Sequence, residues 1–309
     1  MRTRYYPSIA FAVSVMVMLF FPSYIESQEY DPVCMDPPEY DKKFPPVILE
    51  APEGLMSNGK RLNGIIYLAQ GKGPHPTALL LHGLPGNERN LDLAQVLRRA
   101  GWNVVFFHYR GSWGSEGRFS FTNCVEDVGN VLRILREAEM QKKLRLDAER
   151  IALIGHSMGG AAAILAAARD PQISMVISIA GANVYSSVKQ ASNNEGMAQQ
   201  FEDEIKKLLP LQVDPAGFVS GIAEEELEDI NPEKFLPQLS DKSLLFISGS
   251  RDTDVPAKTQ IELLVNALKE KNAKDLTYEI IESDHAFSDR RIALARMILS
   301  WLNERSRSD

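Results

Sequence analysis

The stretch Arg150–Gly160, with the sequence RIALIGHSMGG, contains an apolar strand-forming run that leads directly into the pattern G-x-S-x-G. An alanine-rich, helix-forming run follows at 161–168. This order predicts a sharp strand-to-helix turn that lifts the Ser157 hydroxyl clear of the sheet edge, on a strained backbone that only small neighbours allow. Gly155 and Gly159 supply that space. Ser157 is therefore a candidate nucleophile, the alternative being a Gly-Ser turn that only precedes a helix.

The histidines narrow the choice of a base for this serine. A serine hydroxyl needs a general base, which in strand-turn-helix sites follows later in the chain, after an acidic residue. Of the five histidines, only His285 comes after Ser157. The segment 276–281 has a strand pattern, so His285 is predicted in the loop that leaves this strand, on the same sheet edge as Ser157. The alternative is a loop histidine with no catalytic task.

Two aspartates are candidates for the acidic partner. The segment 243–248 has the pattern of a buried strand, and the residues directly after it, 249–256, read GSRDTDVP. Either Asp252 or Asp254 is placed to hold the imidazole of His285 in the required tautomer and to stabilise the imidazolium. The residues alone leave both aspartates open.

Four motifs together resemble the α/β-hydrolase family, and more narrowly its esterase and prolyl-oligopeptidase-like branches. They are LHGLPG at 81–86, YRG at 109–111 with Gly114 and Gly117, the turn at Ser157, and G-x-x-D-x-x-V-P at 249–256 followed by Asp284-His285. The resemblance covers roughly residues 45–305. It implies an α/β-hydrolase fold, a mostly parallel central sheet flanked by helices. The family pattern also implies that Asp252 is the acid and Asp254 a neighbour.

The resemblance further implies an oxyanion hole made of two backbone N–H groups. In this family one donor follows the nucleophile, here Met158, and the other lies in the loop after the third strand, here Leu84. The expected activity is carboxylic ester hydrolysis through an acyl-enzyme on Ser157, with a small-molecule ester as substrate. Peptide or amide hydrolysis is the nearest alternative, because the same motifs occur in the peptidase branch. A non-catalytic binding protein on this fold is a third possibility, which the ordered serine, acid and histidine disfavour.

Composition and motifs argue against nucleic-acid binding and against a bound metal or cofactor. The net charge is −7, and no basic cluster is interleaved with aromatic residues, so nucleic acid is not an expected partner. The sequence has no H-E-x-x-H, P-loop or G-x-G-x-x-G motif, because Ser157 stands where the second glycine of the last motif would be. No cofactor or metal is therefore indicated.

Two segments lie outside the basic pattern of alternating strands and helices: an N-terminal leader and a central insertion. Arg2 and Arg4 precede an apolar run, 9–21, which is short for a membrane span, so 1–27 is predicted to be a signal peptide. The remaining 28–309 would be a secreted or periplasmic α/β-hydrolase domain with no stable membrane span; the alternative is an uncleaved membrane anchor. The segment 183–240 is longer than one crossover helix needs. The resemblance to α/β-hydrolases, where an insertion here commonly forms a cap, implies a small helical cap whose apolar residues either pack on the core or line an acyl pocket.

The chain has two cysteines, Cys34 and Cys124. They are too far apart for a C-x-x-C motif. An oxidising compartment would permit a disulfide between them, and this bridge is a hypothesis that the structure can test.

Overall fold

The computed structural model describes residues 29–51, 55–213, 218–219 and 222–306. The predicted signal peptide, 1–27, lies outside these residues. Within the described part of the chain, no helix is both long enough and apolar enough to cross a membrane.

The three strands predicted from the sequence, before Ser157, at 243–248 and at 276–281, are all present. In chain order the strands of the structure are β1 (Val47–Glu50), β2 (Met56–Ser57), β3 (Lys60–Arg61), β4 (Gly64–Leu68), β5 (His75–Leu81), β6 (Asn103–Phe107), β7 (Leu146–His156), β8 (Met175–Ile179), β9 (Ser243–Gly249) and β10 (Asp275–Ile281). Within the described residues, strands β2 and β3 pair only with each other. The other eight form one sheet in the order β1-β4-β6-β5-β7-β8-β9-β10.

The sheet is mostly parallel, as predicted. From β6 to β10 every neighbouring pair is parallel, while β4 is antiparallel to both β1 and β6. In the parallel part, the carboxyl ends of β5, β7, β9 and β10 therefore meet at one edge of the sheet. The loops that carry Leu84, Ser157, Asp252 and His285 all leave from this edge, where α/β sheets place their ligands.

Helices cover both faces of the sheet. They are α1 (Leu91–Arg99), α2 (Phe121–Leu135), α3 (Ala138–Leu144), α4 (Met158–Arg169), α5 (Val184–Ser192), α6 (Glu195–Lys206), α7 (Glu224–Asp229), α8 (Leu236–Ser240), α9 (Ala257–Gln260), α10 (Glu262–Glu270) and α11 (Arg291–Ser306). Helices α1 and α11 contribute to one hydrophobic core, and α2, α4 and α10 contribute to the other. Residues alternate between the two cores along each central strand, as the twofold period of a strand requires. In β6, for example, Val104 and Phe106 join the first core and Val105 and Phe107 the second.

The segment predicted as a cap contains α5 to α8, and most of its described apolar side chains are used for packing. The rings of Phe201 and Phe218 stack with their centroids 6.4 Å apart, and both lie against Phe121 of α2. The cap residues packed against the core include Phe201, Phe218, Ile222 and Phe235. Leu209 is different, because 93% of its surface is exposed. Two apolar cavities lined by described residues lie between this segment and the core, with volumes of about 20 Å³ and 10 Å³, and each is too small for an acyl chain.

The hypothesis of a disulfide between the two cysteines is wrong for this structure, where both are free thiols. Cys124 is buried in the core that contains α2 and α4. Cys34 is exposed, and its neighbour Val33 packs into the core on the opposite face of the sheet, with α1 and α11. A bridge would have to join opposite faces of the sheet, and a disulfide spans only about 4–7 Å between Cα atoms.

Candidate active site

Ser157 lies on a sharp turn between β7 and α4, with φ +56° and ψ −124°. Such a conformation is costly for a residue with a side chain and persists only where the surroundings hold it in place. Three backbone hydrogen bonds do so: Ser157 N–H donates to the Ile179 carbonyl at 2.9 Å, and the Ser157 carbonyl accepts from Ala182 N–H at 3.1 Å and from Gly160 N–H at 2.9 Å. Ser157 is partly exposed, whereas its neighbours His156 and Met158 are buried. The turn therefore presents the hydroxyl at the sheet edge, as the sequence predicts.

The two glycines of the motif are needed for close backbone contact. A β-carbon on Gly155 would lie 2.0 Å from the Gly159 carbonyl oxygen, and one on Gly159 would lie 2.3 Å from the Leu81 carbonyl oxygen. The obstacles are backbone atoms, which no side-chain rotation can remove. Helix α4 is thus able to begin directly under β5 and β7 only because both positions lack a side chain.

We expect Gly159→Ala to lower the free energy of unfolding by about 1–3 kcal/mol or more, because the added methyl group overpacks a rigid site. Gly129→Ala is the matched control. Gly129 is exposed in α2 and a β-carbon there would meet no atom within 4 Å, so we expect a gain of up to about 1 kcal/mol from the better helix propensity of alanine. Urea denaturation of both variants measures the difference. A Gly159→Ala variant as stable as Gly129→Ala would contradict the packing argument.

His285 and Asp252 form a direct pair at this edge. The Nδ1 atom of His285 lies 2.7 Å from Oδ2 of Asp252. The side chain of Asp252 is 1% exposed and that of His285 is 21% exposed. Because a carboxylate can only accept, His285 carries its proton on Nδ1 and keeps Nε2 for another partner. Asp254, the other candidate from the sequence, is exposed at the surface.

The turn after β9 holds the carboxylate of Asp252 in one orientation. Its Oδ1 accepts from the backbone N–H groups of Asp254 at 3.0 Å and Val255 at 2.8 Å, which leaves Oδ2 for His285. The turn is also tied to the histidine loop, since Arg251 N–H donates to the Ser283 carbonyl at 2.9 Å. The sequence G-x-x-D-x-x-V-P therefore builds a rigid support for one imidazole.

His156 supports the same loop from the other side. Its Nε2 lies 2.9 Å from the carbonyl oxygen of His285 and donates to it. Burial lowers the pKa of His156 to about 4, so the ring is neutral near pH 7. Among the described residues the Ser157 hydroxyl makes no hydrogen bond to His285. Catalytic hydrogen bonds are often longer in the absence of substrate and shorten when it binds.

The loop after β5 lies directly against Ser157. A β-carbon on Gly83 would be 2.8 Å from Cβ and 3.4 Å from Oγ of Ser157. The backbone N–H groups of Leu84 and Met158, the donors implied by the family resemblance, make no hydrogen bond within the described residues. Met158 is the first residue of α4, whose N–H groups have no partner inside the helix. Within the described residues, the residue after Ser157 and the residue after Gly83 thus each carry an unpaired backbone donor.

The sequence does not indicate that His82, a residue of the LHGLPG motif, and His108 contact each other. Both are buried beneath the Leu84 loop, with His82 Nε2 3.2 Å from His108 Nδ1. Burial lowers the pKa of His82 to about 4 and that of His108 to about 3. The one sequence signal for this region is the LHGLPG motif, in which His82 directly precedes Gly83.

Arg110 anchors the YRG loop that borders the site. Its guanidinium Nε pairs with the buried carboxylate of Asp127, and its backbone N–H donates to the same carboxylate at 2.7 Å. A second ion pair joins Arg110 to Glu126, whose side chain is 51% exposed. The buried pair therefore fastens this loop to α2.

We expect Asp127→Ala to lower the free energy of unfolding by about 3–5 kcal/mol, because it leaves the buried Arg110 without its main counter-charge. Glu126→Ala removes a carboxylate from the same guanidinium at the surface, so its expected cost is about 0–1 kcal/mol. Equilibrium denaturation of the two variants provides the measurement. Equal costs would show that the buried pair does not stabilise the fold.

Comparison with known proteins agrees with this fold. Residues 76–214 match the family model of the alpha/beta hydrolase fold. The esterase EstD of Thermotoga maritima is 25% identical over 283 residues, an alignment that covers 84% of this chain and 64% of the esterase. The chain thus spans less than two thirds of that relative's length.

Solved structures share the fold. Est1E of Butyrivibrio proteoclasticus, a structure with bound ferulic acid, superimposes with a TM-score of 0.60 at 18% identity, covering 81% of this chain and 97% of Est1E. The acylaminoacyl peptidase of Pyrococcus horikoshii superimposes with a TM-score of 0.62 at 18% identity, covering 84% of this chain and 41% of the peptidase. The chain therefore has the α/β-hydrolase fold, and the proteins it is similar to include esterases and peptidases.

Proposed function

We propose that this protein is a serine hydrolase that cleaves carboxylic esters. The observation that carries the proposal is the hydrogen bond between Asp252 and His285, on the sheet edge where the strained Ser157 turn and the Gly83 loop also meet. A carboxylate that fixes the tautomer of a histidine leaves Nε2 as a base, and a serine on the same edge is the group that needs one.

The proposed reaction has two steps. His285 Nε2 accepts the Ser157 proton while Oγ forms a bond to the acyl carbon, and the Leu84 and Met158 N–H groups stabilise the negative oxygen. The ester C–O bond then breaks, and the departing alkoxide takes the proton from His285. Water, deprotonated by the same histidine, attacks the acyl-enzyme and releases the acid and free Ser157. Asp252 stabilises the imidazolium in both steps.

Peptide or amide hydrolysis is the second candidate. It is favoured by the shared fold with the acylaminoacyl peptidase, although only 41% of that longer protein is covered. The same serine, histidine and aspartate would serve both reactions. The two differ in the leaving group, since an amine must be protonated as it departs.

The test has two parts. A fluorophosphonate probe should label the purified protein once, and peptide mapping should place the label on Ser157. Release of p-nitrophenol from short-chain esters and of p-nitroaniline from an aminoacyl anilide then separates the two candidates. Ester cleavage with little anilide cleavage supports the esterase, anilide cleavage alone supports the peptidase, and absence of both label and turnover would contradict a serine hydrolase.

A further inference from the structure

Two buried histidines lie in line beneath the loop that carries Leu84. His82 Nδ1 is 2.7 Å from the carbonyl oxygen of its neighbour Gly83, and His82 Nε2 is 3.2 Å from His108 Nδ1. Only 1% of His82 and 7% of His108 is exposed. Neither ring contacts Asp252 or His285 in this structure, and the proposed reaction uses neither.

The positions of the protons follow from the partners. A carbonyl oxygen only accepts, so His82 carries its proton on Nδ1 and donates it to Gly83. In a neutral ring Nε2 is then bare and accepts from His108, which must carry its proton on Nδ1. Burial keeps both rings uncharged near pH 7, because it lowers both pKa values well below that of a solvated imidazole. The result is a directed chain from His108 to His82 to the Gly83 carbonyl.

This chain controls the orientation of one peptide group. The Gly83 carbonyl and the Leu84 N–H belong to the same planar unit and point in opposite directions. A hydrogen bond that holds the carbonyl toward His82 therefore directs the N–H away from it. That N–H is unpaired within the described residues, and Gly83 lies against Ser157.

His108 is itself held from two sides. Its carbonyl accepts from Ser115 Oγ at 2.7 Å, and its ring stacks on Trp113 with the centroids 5.7 Å apart. The indole Nε1 of Trp113 donates to the Pro85 carbonyl at 2.7 Å. The segment from Gly83 to Pro85 is thus anchored at both ends by groups that meet at His108.

We propose that His108, acting through His82, is a positioning residue that orients the Leu84 N–H toward the oxyanion of the acyl transition state. This inference rests on the proposed function and adds to it a requirement for two neutral imidazoles outside the triad. Removal of a whole oxyanion donor costs about 100- to 1,000-fold in kcat. A donor that is present but no longer held should cost less, about 10- to 100-fold.

The experiment compares two replacements of His108. His108→Phe keeps an aromatic ring against Trp113 but has no donor for His82, whereas the side-chain amide of His108→Asn places an N–H near the position of Nδ1. With a p-nitrophenyl ester, we expect the phenylalanine variant to lose about 10- to 100-fold in kcat with little change in KM, and the asparagine variant to recover most of it. Affinity for a boronic acid, which forms a tetrahedral adduct, should fall in parallel.

His75→Phe is the matched control, because His75 is a buried histidine that bonds the Gly71 and Gly101 carbonyls outside the site. Its kcat should stay near that of the wild type. A folded His108→Phe variant with kcat within about twofold of the wild type would overturn the proposal. So would an asparagine variant as impaired as the phenylalanine variant.

A second measurement does not depend on activity or on the folding of variants. Nitrogen-15 NMR of the wild-type imidazoles should show His82 and His108 protonated on Nδ1 and bare on Nε2. A proton on His82 Nε2 would overturn the proposal even if the enzyme is active. If the wild type were no more active than Ser157→Ala, the proposed function would be wrong. The NMR spectrum would still show whether the hydrogen bonds from His108 to His82 to Gly83 are present.

Discussion

Replacement of Ser157 by alanine is expected to lower kcat for ester hydrolysis by about a million-fold, the cost of losing the nucleophile of a working triad. The proposed mechanism has no other group that can form the acyl-enzyme. The fold should persist, because alanine keeps the β-carbon and so adds no strain at φ +56°. The Ser157 hydroxyl also makes no hydrogen bond to a described residue that its removal would break.

Activity with p-nitrophenyl butyrate and the midpoint of thermal unfolding are the two quantities to measure. Ser250→Ala is the control, since Ser250 is an exposed serine in the loop after β9, near the site but outside the proposed mechanism. Its activity should equal that of the wild type. A Ser157→Ala variant that is folded and retains activity within tenfold of the wild type would exclude Ser157 as the nucleophile.

The second large effect is expected at Asp252. Asp252→Asn should lower kcat by about 10,000-fold, because the new side-chain amide would donate toward His285 Nδ1 and favour the wrong tautomer of the ring. The asparagine carbonyl oxygen can still accept the two N–H groups that Oδ1 accepts, so the turn should keep its shape. The loss would thus come from the proton on His285 and not from a displaced loop.

Asp254→Asn removes the same charge two residues away. Asp254 is exposed, and its carboxylate does not pair with His285, so kcat should stay within about twofold of the wild type. Steady-state kinetics of the two variants at one pH makes the comparison. Equal losses at both positions would mean that general charge near the site, and not the pair of Asp252 with His285, supports catalysis.

Much of the fold was predictable because its signals are local. The strands β7, β9 and β10, and the alanine-rich α4 after G-x-S-x-G, all lie where the sequence pattern indicates. Parallel strands separated by helices bring their carboxyl ends to one edge, so the shared location of Ser157 and His285 also followed from the order of the elements. The family resemblance is likewise confirmed by the comparisons.

Contacts between residues that are far apart in the sequence were harder to predict. The local sequence pattern made Asp252 and Asp254 equally good candidates for the acidic partner of His285, and only the family resemblance favoured Asp252. The pair of His82 and His108 joins residues 26 positions apart, and no spacing in the sequence indicates it. The possible bridge between Cys34 and Cys124 failed for the same reason, since the sequence does not say which face of the sheet each cysteine occupies.

By itself, the sequence determined the positions of the strands, the glycines that allow the Ser157 turn, and the single histidine that follows it. These depend on backbone conformation and on residue size, which neighbours along the chain control. Only the tertiary structure decided which carboxylate meets His285, which rings lie under Leu84 and which thiols stay apart. Those contacts depend on how side chains from distant segments fill the space between sheet and helices, and packing of that kind has no local signature.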